Sequence, residues 1–331
     1  MSGVTGIKQL GKRTVPTAIA GRIAFERAKG VRRLLGRKDG GMGATHRGFE
    51  LDQSLDYVDG VFEDYLNYGG VDRGAIQESR ILELGPGDNF GVALRFLAAG
   101  ADRVVSVDRF IPYRDDDYHR KIYGGLIDRL DEEEAARIRP VLDGDPFAFE
   151  EIGLQVLEET PIEDAPAKLG GGDFDLIVSR AVLEHVYDLP SAFDAMWSLL
   201  KPGGRMIHKV DLSDHGLFLP GGHNPLTFLT ISDRVYGWMG EIPAGLPNRR
   251  RIDLYRAEMG RTGFDARFLI TQVAGDEREL ERFVPLEGGL PKESPLAYVR
   301  AVRPRLNPRF SGASDEELAI VGFFLIADKP R

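Results

Sequence analysis

The chain contains no cysteine, which excludes a disulfide framework, a thiol nucleophile, an iron–sulfur cluster and a cysteine zinc site. It has no apolar run long enough to cross a bilayer, so an integral membrane protein is excluded. Serine is nearly absent from the first forty residues and no signal-peptide core stands there, which disfavours a cleaved presequence. What is present is an ordinary globular composition, with 331 residues, 42% hydrophobic and 29% charged. Such a chain can bury a core and is not disordered, collagen-like or coiled coil. The length allows one large or two modest domains. The lack of cysteine agrees with a reducing cytoplasm, the expected location.

The net charge of -9 argues against nucleic acid as a partner, but it is unevenly spread. Residues 1–40 carry ten Lys/Arg against Glu26 and Asp39, a net +8, which leaves -17 on the rest. In this head Ala20, Ile23, Ala24, Ala28, Val31, Leu34 and Leu35 recur at helical spacing between Arg22, Glu26, Lys29 and Arg33, predicting an amphipathic helix over 17–38. Pro16 suits its first turn, and Gly40, Gly41 and Gly43 its stop. A basic helix of this kind can form a peripheral contact at the inner membrane surface through residues 1–40. It can equally dock on the acidic body. Residues 1–43 are therefore read as a basic N-terminal extension, and 44–79 as a helical cap in which Tyr57, Tyr65 and Tyr68 border the site below.

The chemistry starts at Arg80. Ile81–Leu84 reads as a buried strand, followed at once by Gly85-Pro86-Gly87-Asp88-Asn89-Phe90-Gly91 and a helix over 92–99. Val104–Val107 is a second strand with Asp108 at its carboxyl end, 21 residues beyond Gly87. In a β-α-β unit of this type the glycines let a ligand approach the backbone and the acid accepts the ribose hydroxyls. The spacing Gly85-x-Gly87-x-x-x-Gly91 is one longer than the dinucleotide pattern, and Glu83 stands two residues before the first glycine. A carboxylate there repels a pyrophosphate and suits a cationic ligand. Further on come a strand over 173–179, a helix over 191–200, a stop at Lys201-Pro202-Gly203-Gly204, and a strand over 205–212.

This order of segments resembles the class I S-adenosylmethionine-dependent methyltransferases. The resemblance rests on Glu83-Leu84-Gly85-Pro86-Gly87, Asp108, Phe174-Asp175-Leu176-Ile177-Val178-Ser179, Val182-Leu183-Glu184-His185-Val186 and Leu200-Lys201-Pro202-Gly203-Gly204. It implies an α/β, Rossmann-like doubly wound sheet of seven strands over residues 80–331, the last antiparallel, with strands at 268–273 and 319–326 closing it. It also implies S-adenosylmethionine as cofactor. The implied cofactor residues are Glu83, Gly85, Pro86, Gly87, Asn89, Asp108, Arg109, Ile162, Glu163 and Ser179. Phe110 would share the adenine border with Arg109, and Asp164 stands as the alternative to Glu163.

Methyl transfer needs alignment, and deprotonation when the acceptor is a hydroxyl. The candidates follow strands four and five: Arg180, Glu184 and His185, then His208, Asp211, Asp214 and His215. Asp211 or His215 is the favoured base or acceptor-orienting group. His185 is expected in the cofactor shell or in catalysis, and His208 as a hydrogen-bonded core histidine. The spacing His208-x-x-Asp211-x-x-x-His215 matches no diagnostic metal pattern, so no metal is expected.

Three segments exceed the minimal core and are read as lid insertions: 111–153, 212–250 and 275–316. Arg249, Arg250 and Arg251 in the second suit an anionic acceptor group or, as plainly, a solvated helix start. The run from His208 to His215 looks like that of uncharacterised bacterial methyltransferases of surface-glycan or secondary-metabolite pathways. That implies a small-molecule or glycan-precursor acceptor, methylated on a hydroxyl oxygen. The alternatives are N-methylation of a small molecule and a non-catalytic partner protein of the same fold.

Overall fold

Apolar strands that each run into a turn and a helix build a parallel sheet in the computed structural model, which describes residues 14–34, 45–112, 114–218, 221–240 and 245–331. Helix α1 (Val15–Leu34) is followed by α2 (Leu51–Asn67) and the short α3 (Arg73–Ile76). The core unit starts with β1 (Arg80–Leu84), α4 (Gly91–Ala98) and β2 (Arg103–Val107). Helices α5 (Asp116–Arg129) and α6 (Glu132–Ile138) precede β3 (Leu154–Leu157), and α7 (Ala165–Leu169) precedes β4 (Phe174–Arg180). Then come α8 (Leu189–Leu199), β5 (Leu200–Asp211), α9 (Asp233–Trp238), α10 (Ile252–Thr262) and β6 (Asp265–Val273). The chain closes with β7 (Val284–Pro285), α11 (Pro295–Val302), α12 (Asp315–Ala319) and β8 (Ile320–Asp328).

The strand order is β3-β2-β1-β4-β5-β8-β6-β7. Strands β1 to β5 are mutually parallel, and β8 runs antiparallel between β5 and β6. The doubly wound expectation holds, with one correction: the sheet has eight strands. The extra one, β7, pairs Val284 and Pro285 with the outer edge of β6. Two residues that include a proline can add to an edge but cannot carry a further strand.

Register sets the site. Leu84 lies opposite Val107 on one side and Ser179 on the other, and Ser179 lies opposite His208. The carboxyl ends of β1, β2 and β4 therefore end nearly level, and β5 runs on past them to Asp211. The order reverses at β1, which opens a crevice along that edge.

Both faces of the sheet are covered. On one, α2 lays Leu55, Val58, Val61, Phe62 and Leu66 over α4, with Phe62 and Phe96 edge to face at 5.2 Å. A capping box between Glu50 and Gln53 starts α2 where this apolar stripe begins. On the other face α8 and α10 pack Phe193, Met196, Tyr255 and Met259 against β4, β5 and β8. A third core gathers Phe218, Phe228, Leu229 and Tyr236 with Val299, Val302 and Phe310 from the segment before β8. Helix α1 rests on it through Val15, Ala18, Ile19 and Ile23, and Arg22 donates from Nε to the Met239 carbonyl at 3.0 Å. Val15, Ala18, Ile19 and Ile23 are thus turned to the protein body, whereas Ala20, Ala24 and Ala28 of the expected stripe are exposed. Residues 1–13 and 35–44, with Lys8, Lys12, Arg13, Arg37, Lys38 and the glycine stop, lie outside the described residues.

Candidate active site

Two cavities of about 150 Å³ each meet at Leu84, Gly85, Gly87 and Ala181, above the carboxyl ends of β1 and β4. Gly85 and Gly87 have φ of +62° and +70°, and a Cβ on Gly85 would stand 2.6 Å from Val182. Glycine is required there by conformation and by space.

The first cavity is mostly apolar. Asp108, Arg109, Phe110, Ile162, Glu163, Val182 and His185 line it. Asp108 accepts a hydrogen bond from the Phe110 amide at 2.9 Å, and burial raises its pKa above the ordinary carboxylate value. Glu163 lines the cavity, and Asp164 is not among its lining residues.

The second cavity is polar and lies under the N-terminal cap. Glu83, Pro86, Asp88, Asn89, Tyr57, Tyr65, His46 and Arg180 border it. Glu83 is buried and accepts from Ser106 Oγ at 2.8 Å; burial pushes its pKa up to about 7, against the pull of that bond. Burial likewise holds Asp88 up to about 6. Asn89 ties the loop by accepting from the Gly91 amide at 2.6 Å, and its buried side-chain amide nitrogen has no partner. Arg180 points a guanidinium at Asp64, 2.7 Å away. Tyr68, expected beside Tyr57 and Tyr65, instead packs on Phe283 and Phe324.

Ser179 lines neither cavity. It is buried on β4 and bonds His208 Nδ1 at 2.7 Å, while burial drives the His208 pKa down to about 3. The pleat of β4 turns it from the cleft to the β5 neighbour. His208 is accordingly the hydrogen-bonded core histidine expected.

Asp211, His215 and His185 come together beside the first cavity. The rings of His185 and His215 meet edge to face at 4.9 Å, and His215 Nε2 lies 3.5 Å from Asp211 Oδ2 and 4.0 Å from Glu184 Oε1. His185 donates from Nδ1 to the Leu246 carbonyl at 3.3 Å, and burial with the neighbouring His215 lowers its pKa to about 4. Asp214 does a different job: it accepts from the Gly216 and Phe218 amides and shapes the turn after β5. The turn holds His215 at a φ of +49°.

The segment 245–250 clamps this corner. Asn248 donates from its backbone amide to the Glu184 carbonyl at 2.6 Å, and from its side chain to Leu183 and Val186 carbonyls. Arg249 and Arg251 follow neither sequence reading. Both are buried: Arg249 donates to the Phe228 and Ile231 carbonyls and pairs with Asp233, and Arg251 donates to the Leu212, Leu318 and Ile320 carbonyls. They staple the third core to the sheet; Arg250 alone is exposed. Sequence reasoning also passed over Thr45, His46 and Asp88. Their signal was spatial, because His46 reaches the glycine loop only once α2 is packed.

A family model described as a methyltransferase domain matches residues 28–266. The chain belongs to this family. The match makes it a methyltransferase, and its sequence motifs imply S-adenosylmethionine as the cofactor. The donor set fits that molecule: Asp108 on the apolar cavity suits a ribose diol, Gly85 and Gly87 stand at positive φ, and buried Glu83 on the polar cavity suits an ammonium. Among solved structures, phosphoethanolamine N-methyltransferase 2 of Haemonchus contortus, in complex with S-adenosyl-L-methionine, is 13% identical with a TM-score of 0.42. The alignment covers 88% of this chain and 59% of that one. An S-adenosylmethionine-dependent methyltransferase from Mesorhizobium loti is 17% identical with a TM-score of 0.40, covering 84% of this chain and all of that one. No curated protein sequence matches the chain. Among the described residues, no helix is long and apolar enough to cross a membrane.

Proposed function

We propose that the enzyme methylates a hydroxyl oxygen of a small molecule or glycan precursor. The observation that carries this reading is the corner formed by Glu184, His185, Asp211 and His215, next to the cavity assigned to the adenosine half of the cofactor. A sulfonium is already an excellent leaving group, so an amine acceptor needs little more than alignment. Two imidazoles and two carboxylates at one corner supply what a hydroxyl needs in addition: orientation and removal of its proton.

When bound, S-adenosylmethionine supplies the methyl group. In this reading Asp108 and Glu163 hold its adenosine part, the Gly85 to Gly87 backbone lies along its chain, and Glu83 balances its ammonium. His185, fixed by its bond to Leu246, borders both ligands. With the methyl group supplied by the bound cofactor, the Asp211–His215 corner would orient the acceptor hydroxyl and carry its proton to solvent. Segment 212–250 serves as the acceptor lid, since its last residues already clamp Glu184 and His185.

Calorimetry with S-adenosylmethionine, S-adenosylhomocysteine and NAD tests the cofactor half. The first two should bind and NAD should not; failure of both to bind would sink the reading. A radiolabelled-methyl screen of hydroxylated small molecules and sugar precursors tests the acceptor half. Label that appears only on amines would replace oxygen by nitrogen as the target.

A further inference from the structure

Glu184 is fully buried, its carboxylate oxygens meet only the backbone amides of Glu184 and Asp211 at poor hydrogen-bond geometry, and burial beside Asp211 holds its pKa well above the carboxylate range. A buried carboxylate is costly unless a positive charge or a set of donors answers it. No Lys or Arg forms an ion pair with it among the described residues; the basic group nearest it is His215, with Nε2 at 4.0 Å. One oxygen of Glu184 and one ring nitrogen from each of His185 and His215 lie within 4.8 Å of one another.

We propose that Glu184, His185 and His215 bind a divalent first-row transition cation at the acceptor end of the cleft. Two imidazoles and a carboxylate are a donor set suited to zinc or manganese, with positions left over for an acceptor oxygen. The surroundings follow the pattern of a ligating histidine: His185 gives its Nδ1–H to a backbone carbonyl, which leaves Nε2 with its lone pair. Asp211, 3.5 Å from His215 Nε2, can orient that ring or join the set. Donor atoms around such a cation stand about 3–3.5 Å apart, so the three must close by about 1 Å. His215 sits on an exposed turn and has room to do so.

The inference departs from the sequence expectation because the ligand that matters is not in the His208–Asp211–His215 spacing. His208 is committed to Ser179, and Glu184 takes its place from the neighbouring strand end. It rests on the reading of this corner as the acceptor side of the methyltransferase and deepens it. A cation held here would lower the proton affinity of an acceptor hydroxyl and fix its direction toward the methyl group.

The test titrates manganese(II), and separately zinc(II), into metal-stripped full-length protein by calorimetry, with S-adenosylmethionine affinity measured on the same samples. The expected result is saturable binding of one equivalent of at least one of the two. Glu184→Gln and His215→Ala should each weaken it at least tenfold while keeping cofactor affinity within about threefold. Absence of saturable binding, or binding that survives either substitution unchanged in a variant that still binds cofactor, overturns the proposal. Should Glu184→Gln fail to fold, His215→Ala on the exposed turn decides alone. Loss of cofactor binding by the unsubstituted protein would sink the methyltransferase reading instead, so the two failures are told apart.

Discussion

Two buried glutamates stand at the carboxyl edge of the sheet, one at each end of the cleft. Glu83, on β1, accepts from Ser106 and opens onto the polar cavity beside the glycine loop. Glu184, in the turn after β4, has no well-aligned hydrogen-bond partner on either oxygen and faces two histidines. The same burial penalty is answered differently. Glu83 keeps one neutral hydrogen bond and opens onto a cavity suited to an ammonium. Glu184 lies beside Asp211 and two imidazoles, and a metal ion is the counter-charge that imidazoles can help to hold.

Substitutions can break this comparison from either side. The largest effect is expected for Glu184→Gln: methyl transfer to the acceptor found in the label screen should fall about 10²–10⁴-fold, the usual range for losing proton-transfer assistance. Label-transfer rates check it, and an unchanged rate would remove Glu184 from the chemistry.

Asp108→Ala should weaken S-adenosylmethionine binding about 10–150-fold, which corresponds to about 1.5–3 kcal/mol for hydrogen bonds to a charged group. Calorimetry reads this directly, and the rate at saturating cofactor should change far less than affinity.

Glu83→Gln should cost about tenfold in cofactor affinity, and it also carries a pH signature. Burial raises the Glu83 pKa to about 7 in the free protein, and a bound ammonium favours the ionised form. The group is therefore protonated in the free protein below that value and tends to lose its proton on binding. Affinity should fall as pH drops below about 7, by about tenfold in all, with proton release visible as buffer-dependent heat. Glu83→Gln should flatten the profile between pH 6 and 8.

The smallest effect is expected far from both glutamates. Ile23→Ala removes part of the α1 stripe that rests, half-buried, on the third core. It should lower stability by about 1 kcal/mol, read by denaturant titration, and leave cofactor and metal affinities unchanged. Because Val15, Ala18, Ile19 and Ile23 face the protein, anionic vesicles should co-sediment little of the full chain.

The two ends of the cleft also differ in how far the sequence discloses them. Glu83, Gly85, Gly87 and Asp108 belong to one β-α-β unit, whose spacing is imposed locally by a strand, a tight turn and a helix. Their positions could be read in order along the chain. The acceptor end is assembled from β4, β5 and the segment 245–250, and its roles depend on contacts between them. Ser179 looks like a cleft residue in sequence, yet the pleat turns it to His208. Glu163 and Asp164 are neighbours in sequence, and only the packing of that turn brings the first to the cavity wall. Arg249 and Arg251 look solvated or ligand-binding, but carbonyls from five separate positions claim them. A charged residue whose partners are backbone groups far along the chain leaves no pattern in its own neighbourhood.

The most direct measurement is a side-by-side calorimetric titration of S-adenosylmethionine into the unsubstituted protein, Glu83→Gln and Glu184→Gln. The division of the cleft predicts tight binding to the first, about tenfold weaker binding to the second, and affinity within about threefold of the first for the third. Equal losses in both variants, or no binding to the unsubstituted protein, would contradict it.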